Sequence, residues 1–287
     1  MSVTVAEERV VVAPAPARRP RKRLTRFILP SYTFAVILYL SFPIFVIILF
    51  SFNQTRTGFG TAPRAKTEWI GFTLQWYQNV FEIPDLTTAF QHSLLIAFAS
   101  SLAAAALGTF VGLALARYRY RGKGATNFVI FLNISSPEVV LGAALASFFV
   151  SLGFARGLDT LFLSHSMFSV PFVAVTVRAR VQGLDRSLED AAMDLGATPI
   201  TTFIKITLPL IFPGILAGWL LAFALSMDDF VITQFVQGPA TMFPTWVFGA
   251  TKVGIPPHVF VMASFIFTGG VLLALATFVM GWQRGRA

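Results

Sequence analysis

The chain carries only 13 Asp and Glu in 287 residues, and a few of them stand where carboxylates are costly. Asp228 and Asp229 are adjacent at the end of an apolar run that begins near Leu208, and Glu138 follows Ser135-Ser136-Pro137 inside another apolar run. Ionisable groups in such surroundings usually face a cavity or a charged partner. Trp219, Phe223 and Ser226 recur at helical spacing toward Asp229, and aromatic faces of that kind can hold an ammonium. These six residues, Glu138, Trp219, Phe223, Ser226, Asp228 and Asp229, are the candidate lining of a path for a slender organic cation. Bundle packing is an alternative for the aromatics, and compensation of a helix dipole is an alternative for Glu138. For the two aspartates it is capping of the loop that follows them.

Enzyme chemistry has little to work with. Adjacent aspartates on a helix point about 100° apart, so they cannot share a proton as a facing dyad does. The chain has no cysteine, no H-E-x-x-H and no G-x-x-x-x-G-K-[ST], which leaves no thiolate chemistry, zinc-protease helix or P-loop. His92, His165 and His258 are far apart in sequence and read as interfacial residues. No catalytic residue, metal ligand or cofactor is assigned to this chain. An intramembrane hydrolase remains the rival from another class, and it needs an activated Ser or facing carboxylates.

The elements that must position these groups follow from the solvent. Hydrophobic residues make up 55% of the chain and charged residues 12%, and the mean hydropathy is +0.72. That is too little polar surface for a soluble globule of this size. About 20 mostly apolar residues cross a bilayer as a helix. Six stretches qualify, near residues 28–51, 91–116, 127–153, 160–181, 207–228 and 258–281. The third contains the helix-start signal Ser136-Pro137 in its interior and is expected to be broken or strongly tilted. The expected fold is all-α, a polytopic membrane protein with six spans. Residues 1–26 form a basic, Pro- and Ala-rich cytoplasmic tail expected to be disordered, and residues 27–287 the transmembrane domain. With the tail inside, every Lys and Arg except Arg56, Arg64, Lys66, Arg156 and Lys252 lies on the cytoplasmic side. That bias places both termini in the cytoplasm. The net charge of +9 then reflects topology and anionic lipid rather than nucleic acid.

One inside loop is conspicuously polar: LEDAAMDLGATPITTFIKITLP, residues 188–209. Ser187 and Asp190 have the spacing of a capping box, and Glu189 and Asp190 suit the positive end of a helix dipole. The helix should end near Gly196 in a left-handed C-cap. Thr198-Pro199 should then cap a second helix leading into the fifth span.

The pattern D-A-A-x3-G-x9-I-x-L-P resembles the EAA loop of binding-protein-dependent ABC importer permeases. In that family the loop is a coupling helix that docks on a separate ATPase subunit. The resemblance assigns this role to Glu189, Asp190, Ala191, Ala192, Gly196, Ala197, Ile206, Leu208 and Pro209. The family's glutamate is Asp190 here, one methylene shorter. Trp76-Tyr77, Gly108-Thr109, Arg117, the run from Pro137 to Gly142, Ser226-Met227-Asp228-Asp229-Phe230-Val231 and Gly238-Pro239 are together similar to the spermidine/putrescine group of these permeases. The resemblance implies a bacterial inner-membrane importer with two permease subunits, ATPase subunits that use ATP and Mg, and a periplasmic or extracellular substrate-binding protein. A permease for another small solute is the alternative within the class.

Overall fold

A computed structural model of the chain describes residues 25–55 and 69–284. The expected disorder of the tail concerns residues that, but for the last two, lie outside this range, as do Arg56, Arg64 and Lys66 of the loop expected outside. The described residues form helices α1 (Thr25–Phe50), α2 (Gln75–Gln78), α3 (Pro84–Arg117), α4 (Lys123–Ser135), α5 (Glu138–Ser151) and α6 (Leu158–Gln182). They continue as α7 (Ser187–Asp194), α8 (Pro199–Thr202), α9 (Leu208–Asp228), α10 (Val231–Val236), α11 (Phe243–Thr251) and α12 (Pro257–Arg284). Among the described residues the only β pairing is an isolated bridge between Asn53 and Phe72. By contacts the chain divides into two units, Met1–Val46 and Ile47–Ala287, and every candidate site residue belongs to the second.

Among the described residues, four helical stretches are long and apolar enough to cross a bilayer: Ile28–Phe50, Pro84–Arg117, Leu158–Gln182 and Pro199–Asp228. The third expected span is two helices, α4 and α5, bent by 108° at Ser136-Pro137. Pro137 has no N–H and its φ is fixed, so the α4 ladder stops there and a new helix begins at Glu138. The apolar part of α12, Pro257–Leu273, is shorter. The second span begins earlier than its apolar run suggests, because Pro84 at the first turn of α3 and Asp85 beside it are a helix start that hydropathy does not register.

Helices α3, α6 and α9 form the core of this unit, and glycines set how closely they approach. A Cβ on Gly108 of α3 would lie 2.6 Å from the Val173 Cβ of α6, and one on Gly112 would lie 2.6 Å from the Ala174 carbonyl oxygen. From the other side, Gly218 of α9 accepts the same Val173 side chain at 3.1 Å, and Gly214 faces the Arg180 Cβ. Val173 is fully buried as a result. This burial also explains why the Leu158–Gln182 window is the least apolar of the four, with a mean hydropathy of 1.5, and the most enclosed, at 61%. Its polar side chains face protein rather than lipid.

Candidate functional site

The polar loop of residues 188–209 folds as a helix–turn–helix. Arg186 rather than Ser187 occupies the N-cap of α7. The expected capping box therefore does not form, and the Asp185 carboxylate accepts the Ser187 N–H at 3.0 Å instead. That bond holds the Asp185 carboxyl below the usual carboxylate range. Its contribution to the helix start is present at neutral pH and is lost as pH falls through the lowered value. Gly196 ends the helix at φ +87° with open space around its Cβ position, as the sequence predicts. Thr198 caps α8 through a bond from the Thr201 N–H at 3.3 Å.

Between α8 and α9 the chain widens into a π-helical turn, Phe203–Thr207. The Leu208 N–H bonds the Phe203 carbonyl five residues back, just ahead of Pro209, which has no N–H to give to Lys205. Such bulges are common at functional positions. Of the EAA-pattern residues, Asp190, Ala191 and Gly196 are exposed, Ala192, Ala197 and Ile206 are half-buried, and Leu208 packs against the α3/α6/α9 core. Leu188, Leu195, Ile200 and Ile204 add exposed apolar side chains to this surface, Leu195 at 91%.

Glu189 points the other way. Its Oε1 accepts from Arg117 Nη2 at 3.3 Å and from Thr207 Oγ1 at 3.1 Å. Arg117 is the last residue of α3, and Thr207 immediately precedes α9. The pair is largely enclosed, with side-chain exposures of 15% and 18%. One carboxylate thus ties α7 to the end of α3 and the start of α9.

At the far end of α9 the two aspartates separate. Asp229 is buried; it accepts the N–H groups of Ile232 at 3.2 Å and Thr233 at 2.8 Å, and the Thr233 hydroxyl at 2.9 Å. It caps the start of α10, which supplies the positive helix end that two carboxylates at a helix C-terminus require. Asp228 is exposed and lies within electrostatic reach of both Asp229 and Glu138. Glu138, also exposed, is the first residue of α5. One turn on, Gly142 admits α10 so closely that a Cβ there would lie 2.8 Å from the Phe235 ring. Trp219 and Phe223 sit one turn apart on α9 with ring centroids 6.3 Å apart, and Phe98 of α3 meets Trp219 edge-on at 6.1 Å. The Trp219 Nε1 is buried without a hydrogen-bond partner.

Ser226 belongs to a buried network rather than to an exposed lining. Its Oγ lies 2.6 Å from His165 Nδ1 and 3.2 Å from Ser100 Oγ. His165 Nε2 lies 3.0 Å from Thr233 Oγ1 and 3.5 Å from the Asp229 carboxylate. His165 is therefore 2% exposed in the core and not interfacial, because its partners come from other helices. His258, fully enclosed against the Trp76 ring, departs from the interfacial reading as well, whereas His92 is half-buried with its Nδ1 3.2 Å from the Thr241 carbonyl oxygen. Ser226, His165 and Asp229 have the composition of a hydrolytic triad, but Ser226 is 2% exposed and engaged by Ser100 on its other side. No substrate carbonyl can approach its Oγ. Sequence reasoning gave no such role to His165, Ser100, Thr233, Arg117 or Thr207; the available signal was an ionisable side chain within the fourth apolar run.

This architecture is that of an ABC importer permease. Residues 104–285 match the family described as binding-protein-dependent transport system inner membrane component, and the chain belongs to it. It is a multi-pass inner-membrane transport subunit and not an enzyme. Among similar proteins is the spermidine/putrescine transport system permease protein PotC of Escherichia coli (strain K12), 37% identical over 253 residues, covering 88% of this chain and 93% of the relative. Another is the putrescine transport system permease protein PotI of the same strain, 39% identical over 247 residues, covering 83% and 85%. Among solved structures, a bacterial ABC transporter involved in the import of the acidic polysaccharide alginate matches with a TM-score of 0.62 at 14% identity, covering 94% of this chain and 99% of that one. The MetNI methionine transporter matches with a TM-score of 0.52 at 18% identity, covering 75% and 97%. At such identities the likeness concerns the fold alone.

Proposed function

We propose that this subunit imports a polyamine of the putrescine or spermidine type by alternating access. The observation that carries the reading is a pair of exposed carboxylates within electrostatic reach of each other, Asp228 at the α9–α10 break and Glu138 at the start of α5. A flexible chain with ammonium groups several ångströms apart can satisfy both at once. The Phe98–Trp219–Phe223 cluster on α3 and α9 adds apolar and cation–π surface for its methylenes and charges. The polyamine names of the relatives with 37% and 39% identity point the same way. The fold does not, since an alginate importer shares it.

In this reading the Asp190, Ala191, Ala192 and Gly196 surface, with its exposed leucines and isoleucines, docks on an ATPase subunit that uses ATP and Mg. Glu189 transmits the movement to α3 and α9 through Arg117 and Thr207. Both termini are cytoplasmic, residues 1–26 form a disordered tail, residues 27–287 form the membrane domain, a homologous second permease completes the channel and a binding protein delivers the amine. The test is uptake of labelled putrescine and spermidine by cells carrying the operon. Deleting this gene should abolish saturable uptake of at least one amine, and its return should restore it. Unchanged uptake of both on deletion, or restored import of a different solute only, overturns the assignment.

A further inference from the structure

Asp228 and Asp229 are sequence neighbours, yet one is exposed within electrostatic reach of Glu138 and the other is buried against the first turn of α10. We propose that His165 is a positioning residue: through Ser226 on one ring edge and Thr233 and Asp229 on the other, it fixes the α9–α10 break so that Asp228 faces Glu138. The proposal rests on the reading of Asp228 and Glu138 as the amine-attracting pair.

The donor inventory gives the network a direction. The Thr233 hydroxyl donates to the Asp229 carboxylate at 2.9 Å, so its oxygen is left to accept from His165 Nε2–H at 3.0 Å. In the neutral ring Nδ1 then accepts from the Ser226 hydroxyl at 2.6 Å, and Ser226 Oγ in turn accepts from Ser100 at 3.2 Å. The Ser226 and Thr233 hydroxyls thus each donate once and accept once. Ser100, His165, Ser226 and Thr233 come from α3, α6, α9 and α10, and each is 2% exposed or less. In an apolar surrounding such a satisfied chain favours one arrangement over alternatives that leave a group unpaired.

What the arrangement fixes is the end of α9. Asp228, Asp229 and Phe230 contain no Pro or Gly that would stop a helix. The helix stops because Asp229 leaves it, at ψ 114°, and turns its carboxylate to the first N–H groups of α10. Were the ladder to continue, Asp229 would stay on the cylinder of α9 and α10 would not be delivered to Gly142, one turn from Glu138. His165 touches neither carboxylate of the exposed pair and acts on their placement through the break.

The native chain has no cysteine, so Asp228→Cys supplies its single thiol, and modification of this subunit by a membrane-impermeant cationic thiosulfonate can be timed in the assembled transporter. The comparison is among Asp228→Cys alone and with His165→Asn or His165→Gln. Asparagine can meet Ser226 but cannot reach Thr233, whereas glutamine reaches Thr233 and gives up Ser226. The expected result is a modification rate changed about threefold or more by His165→Asn and less by His165→Gln. In uptake assays His165→Asn should raise the amine KM more than it lowers Vmax. Added to Asp228→Asn it should raise KM no further, since it acts through that carboxylate. Equal thiol rates in all three proteins, an unreactive thiol in the Asp228→Cys parent, or additive effects on KM overturn the proposal. Absence of amine uptake by the unaltered transporter overturns the polyamine reading instead, and the thiol rates then decide the positioning role alone. If His165→Asn prevents accumulation in the membrane, Thr233→Val, which removes the hydroxyl and keeps the shape, is read by the same measurements.

Discussion

A carboxylate near lipid does different work according to what reaches it first. Asp229 is met by two backbone N–H groups and a hydroxyl, so its charge is consumed within the chain. Asp228, one residue earlier, stays exposed within electrostatic reach of Glu138. The two should respond differently to loss of charge. Asp228→Asn and Glu138→Gln are expected to raise the KM for amine uptake about three- to tenfold, with a larger effect for spermidine than for putrescine because the longer amine presents more charge. Asp229→Asn retains one acceptor for the α10 cap, and its effect should be similar for both amines. Uptake kinetics with the two substrates check this; an effect of Asp229→Asn that grows with amine charge would return that residue to the pathway. The sequence marked all three acids as exceptional because they stand in apolar runs. It could not divide them, since the division depends on which neighbour, solvent or helix N-terminus, each side chain meets.

Among the elements, the loop helix and its connections invite two tests. Gly196 adopts φ +87° with nothing within 4 Å of its Cβ position, so conformation rather than space inside this chain requires glycine. Gly196→Ala should cost about 1–2 kcal/mol at that turn, and Gly196→Asn should retain more ATPase coupling than Gly196→Ala because asparagine tolerates the left-handed region. Gly196→Trp should insert normally yet uncouple, since its bulk lies on the docking surface; wild-type uptake in that variant removes the docking assignment. The second test concerns Glu189, whose single oxygen holds Arg117 and Thr207. Glu189→Gln keeps the shape and removes the charge, with an expected loss of about 1.5–3 kcal/mol from the clamp. ATPase binding should persist while ATP hydrolysed per solute imported rises, a ratio measurable in reconstituted vesicles. If that ratio is unchanged while uptake is normal, the clamp has no part in coupling. The spacing in residues 188–209 made the helix–turn–helix legible, because caps and the Gly196 turn are local. The Arg117 and Thr207 contacts are separated from Glu189 by 72 and 18 positions, and no local pattern encodes them.

For the molecule as a whole, the bundle depends on how closely α3, α6 and α9 approach. A Cβ at Gly112 would meet the backbone oxygen of Ala174 at 2.6 Å, and backbone cannot rotate away as a side chain can. Gly112→Ala should therefore cost about 1–3 kcal/mol and reduce the amount of intact subunit in membranes, measured by quantitative blotting, whereas Gly124→Ala, with open space around it, should not. Orientation is tested by single cysteines in this cysteine-free chain. Ala240→Cys should react with an impermeant thiol reagent added outside intact cells, and Gly122→Cys and Leu195→Cys should not; labelling at position 195 reverses the topology.

By itself the sequence determined the solvent, the approximate spans, the break at Pro137 and the loop helix whose pattern resembles the family's. Each of these follows from composition, chain-local periodicity or a residue whose backbone has few options, such as Pro137 or Gly196. Only the tertiary structure decided that Ser226 and Asp229 turn inward, that His165 joins them, that Asp228 and Glu138 are left exposed, and that Glu189 grips two spans. Those outcomes depend on side chains brought from helices distant in sequence into one apolar medium. There every polar group must find a partner, and which partner it finds is fixed by packing that no single segment contains.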